Sequence, residues 1–195
     1  MSAKKTVYYL RHFEALHNVP PYNYSLRDPE LSPFGQSQAA STWEIIEKIP
    51  SIDLIVCSPL TRTLQTYLLL FHQRTHIPLI IHPDLQEVCS EICDVGSPLN
   101  ILREKFPSLS KSLTTFEETF GANDWLEKQN PESLYSPKQV KTRAKRFHQW
   151  LINRPETIIL VISHNLMLAE LLSDPTRKEK LALKNGELKT MEYSS

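Results

Sequence analysis

Apolar and polar positions alternate in blocks that divide the chain into short strands and longer helices. Residues 6–10 are β-branched and aromatic and predict a first strand. Residues 17–33 show no helical period and carry Pro20-Pro21, Asp28-Pro29 and Ser32-Pro33, the composition of a stiff loop. Over residues 33–48 the apolar side chains Ala39, Ala40, Trp43, Ile45 and Ile46 return at helical spacing. Ser32 suits the cap of that helix and Pro33 its first position, and Pro50 ends it. Residues 53–57 predict a second, buried strand. After Ser58-Pro59, residues 61–74 predict a helix with Leu60, Leu64, Tyr67, Leu68 and Phe71 on one face. Residues 78–81 read as a third strand.

The pattern then weakens. Residues 82–135 are rich in Ser, Pro and Thr, with a short helix expected near 98–105 and a turn near 115–128. So long a stretch of weak order inside a compact domain points to a functional insertion, here expected as a cap. Regular periodicity resumes over 137–153, where Val140, Ala144, Phe147, Trp150 and Leu151 mark a helix. Residues 157–162 form the most apolar strand, 166–172 a short helix, and 187–193 a last strand after the Asn185-Gly186 turn. Repeated strand–helix–strand units imply right-handed crossovers and a parallel sheet covered on both faces. The expected fold is an α/β, three-layer α/β/α sandwich with a mostly parallel central sheet and an inserted cap region, in one domain over residues 1–195.

Composition narrows the function classes. The 195 residues are 41% hydrophobic and 23% charged, with zero formal net charge, which is ordinary for a globular protein. No overall basic excess points to direct nucleic-acid binding. The segment after residue 173, with Arg177, Lys178, Lys180, Lys184 and Lys189, is mildly basic and reads as a solvated face. No apolar run approaches the ~18 residues of a membrane span. The N-terminus lacks the apolar stretch of a secretory leader, so Cys57, Cys89 and Cys93 are expected as reduced thiols in an intracellular protein, in cytoplasm or nucleus. Four glycines against fourteen prolines favour stiff loops. His82, Cys89 and Cys93 match no usual zinc spacing, and no cofactor or metal is expected.

Candidate chemistry sits at the strand ends. The first strand runs into Arg11-His12, the second into Ser58-Pro59-Leu60-Thr61-Arg62, the fourth into Ser163-His164-Asn165, and Glu87 follows the third. In an open parallel sheet, ligands bind at the carboxyl ends of the strands. Arginine matches phosphate oxygens with a planar, permanently charged fork. Histidine is tuned near neutral pH and can attack as a nucleophile. Singly, Arg62 reads as a surface charge, His164 as a bonded core histidine and Glu87 as a loop carboxylate. Jointly, two arginines, two histidines and a carboxylate on one sheet edge point to a shared pocket.

These residues resemble the histidine phosphatase superfamily, which includes the cofactor-dependent phosphoglycerate mutases. The matching elements are Leu10-Arg11-His12 with Asn18, Leu31-Ser32-Pro33-Phe34-Gly35-Gln36-Ser37-Gln38-Ala39, the run from Ser58 through Arg62 to Thr66, and Ser163-His164. Pro83 to Val88 and Cys93 to Pro98 resemble most a fungal branch. The resemblance implies that His12 is the nucleophile and carries a transient phosphohistidine. Arg11, Arg62 and His164 would hold the phosphoryl oxygens, Asn18 would line the pocket, and Glu87 would protonate the leaving alcohol and then activate water. The substrate would be a phosphorylated small molecule or phosphoprotein. One alternative is a weakly active or inactive domain that serves as a protein-complex partner, such as a subunit of the RNA polymerase III transcription factor TFIIIC. A phosphoglycerate mutase is a third reading, against which the short insertion weighs. Two positions depart from the family pattern: Phe13 stands where Gly or Ala usually follows the nucleophile, and Asn165 where Gly usually follows the second histidine. If the Phe13 ring points into the core the site survives; if it points into the pocket, access narrows. Asn165 tolerates a left-handed turn better than most residues. Tyr22, Tyr24 and Trp125 are candidates for contact with a substrate's organic part, or for packing.

Overall fold

The computed structural model describes residues 4–74, 76–173 and 182–194. Five strands, β1 (Lys4–Arg11), β2 (Leu54–Cys57), β3 (Leu79–Ile81), β4 (Ile158–Ser163) and β5 (Leu188–Ser194), form one sheet in the order β3-β2-β4-β1-β5. All neighbours are parallel except β1 and β5, which pair antiparallel. The sheet is therefore mostly parallel, as expected from the repeated strand–helix–strand pattern.

Side chains of period two send alternate residues to opposite faces. Leu10, Ile55, Cys57, Leu160 and Ile162 pack on one face, beneath α1 (Pro33–Ile46), α2 (Thr61–Phe71), α3 (Leu99–Lys105) and α4 (Ser110–Phe120). Val7, Tyr9, Leu54, Val56, Ile159 and Val161 pack on the other, with Phe147 and Leu151 of α5 (Val140–Ile152) and Leu168 of α6 (Asn165–Leu171). No described helix is long and apolar enough to cross a membrane.

The expected caps and turns explain how the chain enters the site. Ser32 Oγ accepts from Gly35 N at 2.9 Å and donates to Glu14 Oε1 at 2.6 Å. A Cβ on Gly35 would lie 1.9 Å from the Glu14 carbonyl oxygen, so only glycine lets α1 start against the loop that follows β1.

The insertion is more ordered than its composition suggests. Leu102, Phe106, Leu109, Leu113 and Phe116 recur every three to four residues, and all are buried in the core shared with α1 and α2. The expected turn near 115–128 is instead the end of α4 followed by a 3₁₀ turn at Asp124–Leu126. Trp125 is fully buried beside Gly96 and edge-on to Phe116, so it packs. Tyr22 and Tyr24 are exposed and stack on each other with ring centroids 6.3 Å apart. Arg177, Lys178 and Lys180 of the basic segment lie outside the described residues, whereas Lys184 and Lys189 are exposed.

Candidate active site

β2, β4 and β1 are adjacent, so their carboxyl ends deliver Ser58, His164 and His12 side by side. The ladder continues into these residues: His12 N donates to Ser163 O and Ser58 N to Ile162 O, each at 3.0 Å. Arg62 rises into the same space from the first turn of α2. That helix start is capped from outside by Asp28, whose carboxylate accepts from Thr61 N at 2.8 Å and Thr61 Oγ1 at 2.7 Å.

His12 has one defined tautomer. Its Nδ1 lies 2.6 Å from Phe13 O, and its Nε2 accepts from Arg62 Nε at 3.3 Å. The guanidinium only donates, so Nε2 carries the lone pair and Nδ1 carries the proton. Burial, then the charges of Arg62 and Arg11, hold the His12 pKa well below the ordinary histidine value. The ring is thus neutral with a lone pair facing a cation. His164 lies 5.1 Å away, ring centroid to ring centroid, with Nε2 2.8 Å from Ser58 Oγ. Its pKa is likewise well below the ordinary value, through burial and then Arg62 and His12.

Arg11 donates to Leu183 O at 2.6 Å. Burial lowers its pKa, Glu87 opposes that shift, and Arg62 adds to it, so the three charges share one electrostatic neighbourhood. Among the described residues, five buried side-chain polar atoms lack a protein partner, and three of them belong here: Arg11 Nε, His17 Nδ1 and His164 Nδ1. Unpaired buried polar atoms are costly, and their gathering beside two arginines suits a polyoxygen anion.

The family model of branch 1 of the histidine phosphatase superfamily matches residues 7–195. The chain belongs to the histidine phosphatase superfamily. A Schizosaccharomyces pombe protein named as a probable phosphatase is 27% identical over 168 residues, covering 83% of this chain and 74% of that protein. A phosphoglycerate mutase-like protein of Arabidopsis thaliana is 27% identical over 234 residues, covering 96% of this chain and 83% of its own. The fold matches a Bacillus anthracis phosphoglycerate mutase with a TM-score of 0.66 at 17% identity, covering 99% of this chain and 89% of that one. It also matches a mycobacterial glucosyl-3-phosphoglycerate phosphatase with a TM-score of 0.57 at 21% identity, covering 97% and 90%. Membership supports phosphatase or mutase-like activity.

Both departures from the superfamily pattern are resolved by geometry. The Phe13 ring is fully buried in the core and lies against Gly186, while its backbone N–H donates to Thr66 Oγ1 at 3.1 Å. The ring thus packs in the core, and the Phe13 carbonyl is the partner of His12 Nδ1. Asn165 does not use a left-handed turn: it is the first residue of α6, and positive φ among non-glycine residues occurs at Asp28 alone among the described residues. Its Oδ1 instead accepts from Leu183 N at 3.1 Å, tying the start of α6 to the backbone that receives Arg11.

Glu87 is in place but held differently from a simple buried acid. Oε1 accepts from Val88 N at 2.8 Å and from Leu166 N and Met167 N at 3.1 Å, and Oε2 accepts from Leu166 N at 3.2 Å. Leu166 N and Met167 N belong to the first turn of α6, where backbone donors have no partner within the helix. Asn18 Nδ2 donates to His17 Nε2 at 3.1 Å, while its Oδ1 accepts from Ala15 N at 3.1 Å. Asn18 therefore stands one ring removed from His12, since the His17 ring is 6.2 Å from that of His12.

Several residues of the site carry no sequence signal. His17 is buried with its pKa lowered to about 3 by burial and by Arg62 and Arg11. Lys128 Nζ donates to Glu87 O at 2.6 Å and Asp94 O at 2.9 Å, and burial brings its pKa down to about 7. Arg143 holds the carbonyls of Gln86 and Glu87 from the other side, at 3.1 and 3.3 Å. Asn185 Nδ2 donates to His12 O at 3.0 Å.

Proposed function

We propose that this chain is a phosphatase that hydrolyses phosphate monoesters through a phosphohistidine on His12. The observation that carries this reading is the fixed tautomer of His12, a neutral imidazole whose Nε2 lone pair faces the Arg62 guanidinium. In the first step Nε2 forms a bond to phosphorus as the ester P–O bond breaks, and the alcohol leaves with a proton from Glu87. In the second step water attacks phosphorus, its proton returns to Glu87, and the N–P bond breaks to release inorganic phosphate. Arg11 and Arg62 supply positive charge, and His164 a neutral ring donor, to the equatorial oxygens, where phosphoryl transfer gathers negative charge. As phosphorus bonds to Nε2, the imidazole gains positive charge, and the Phe13 carbonyl accepting from Nδ1–H stabilises it. The substrate is a phosphorylated small molecule or phosphoprotein.

The test is hydrolysis of aryl phosphates with a metal chelator present. Glu87→Gln is expected to slow esters of poorly acidic alcohols by about a hundredfold or more and activated aryl esters far less, because only the former need a proton on departure. Equal slowing of both classes would remove Glu87 from the acid role, and a strict magnesium requirement would remove the mechanism.

A further inference from the structure

The site is closed, and what closes it belongs to the chain itself. His12, Arg62 and His164 are 2%, 1% and 0% exposed. Arg62 spends its whole fork on internal partners. Its Nη1 donates to Cys93 O at 2.8 Å, its Nη2 to Asp94 Oδ1 at 2.7 Å, and its Nε to His12 Nε2. The Asp94 carboxylate is also buried. The nucleophile's lone pair and the anion-binding fork are both occupied.

The segment that supplies these partners is latched at its edges. Cys93 N donates to Tyr24 O at 3.0 Å, Arg27 Nη2 to Gly96 O at 3.0 Å, and Ser97 N to Asp28 Oδ2 at 3.0 Å. Lys128 holds the Asp94 carbonyl from beneath. Each latch is a single hydrogen bond to a surface loop or a buried neighbour, and a single hydrogen bond contributes little on its own.

We propose that Asp94 is a specificity-determining residue, an internal carboxylate that occupies the phosphoryl position on Arg62 and must be displaced by substrate. This rests on the phosphatase reading for the identity of the site, and goes beyond it. A ligand wins Arg62 only by offering more than Asp94 and the Cys93 carbonyl do. A carboxylate ligand brings the same single charge as Asp94 and gains little by the exchange. A phosphoryl dianion brings twice the charge and a third oxygen, and so also satisfies the unpaired Arg11 Nε and His164 Nδ1. The internal ion pair thus raises the threshold for binding until only a phosphoryl dianion passes it. Selection by a repulsive or competing element is a general route to specificity. The same competition lowers apparent phosphate affinity by the fraction of molecules in which Asp94 has released Arg62.

The experiment is calorimetric titration of inorganic phosphate into the wild-type chain, Asp94→Asn and Asp94→Ser, with thermal unfolding to show that each is folded and an aryl phosphate assay alongside. Removing the competing charge is expected to tighten phosphate binding about tenfold or more in both variants. Unchanged or weaker binding in the folded variants, or no phosphate binding by any of the three, overturns the proposal. Tighter phosphate binding without hydrolysis by any of the three proteins keeps the role of Asp94 and removes the phosphatase reading. Hydrolysis with phosphate affinity indifferent to residue 94 does the reverse.

Discussion

Replacing His12 with alanine is expected to reduce metal-free hydrolysis of an aryl phosphate by at least about a thousandfold, because the proposed mechanism forms its bond to phosphorus at His12 Nε2. The fold should survive. The His12 side chain has two polar contacts, with Phe13 O and Arg62 Nε, and its backbone remains held by Ser163 O and Asn185 Nδ2. Thermal unfolding of the variant beside steady-state kinetics separates lost chemistry from lost structure. A folded variant that keeps more than a few per cent of wild-type turnover would show that His12 positions the substrate and that another group attacks it.

The second large effect is acid lability. Four histidines are kept neutral in the folded chain, and burial is the leading cause for each. His12 and His164 have pKa values well below the ordinary 6.5, His17 is lowered to about 3, and His82, packed among Phe120, Phe147 and Trp150, to about 4. On unfolding they regain the ordinary value. Below pH 6.5 the unfolded chain therefore binds protons that the folded chain refuses, and stability falls as pH falls. Each group contributes a slope of up to about 1.4 kcal/mol per pH unit. The four contributions have the same sign, so they add. Denaturant unfolding between pH 7.5 and 5 is expected to show a steep, continuous loss of stability. Inorganic phosphate should offset part of it, since a bound dianion favours the charged forms of His12 and His164. A flat profile over that range would mean that these rings are solvated or already protonated in the fold.

The parts of this architecture that follow a period were legible in the sequence. β2 and β4 are apolar runs, as strands buried on both faces must be, β1 carries the apolar stretch Val7 to Leu10, and the ends of the three named Arg11, His12, Arg62 and His164. Ser32 and Pro33 marked the start of α1 through capping chemistry. Helix α3 was expected near 98–105, whereas α4 was harder to read because Ser, Thr and Glu fill its exposed face, although Leu113 and Phe116 keep helical spacing. The cradle of Glu87 is built from backbone N–H groups of Val88 and of the first turn of α6, which no side-chain pattern encodes. Asp94 and Lys128 reach the site from irregular segments, where spacing carries no information about which way a residue faces. Asn165 shows the hazard of reasoning from conformational tolerance: its side-chain amide was what the position used, not its freedom of φ.

The central claim is that a phosphoryl group rests on the protein between leaving-group departure and attack by water. Partitioning tests it most directly. Several aryl phosphates with different leaving groups are hydrolysed in the presence of a fixed concentration of a small alcohol, and the ratio of alkyl phosphate to inorganic phosphate is measured for each. A common phosphohistidine forgets which ester formed it, so one ratio is expected for every substrate. A ratio that changes with the leaving group would mean that water and alcohol attack the bound ester itself, and would contradict the account.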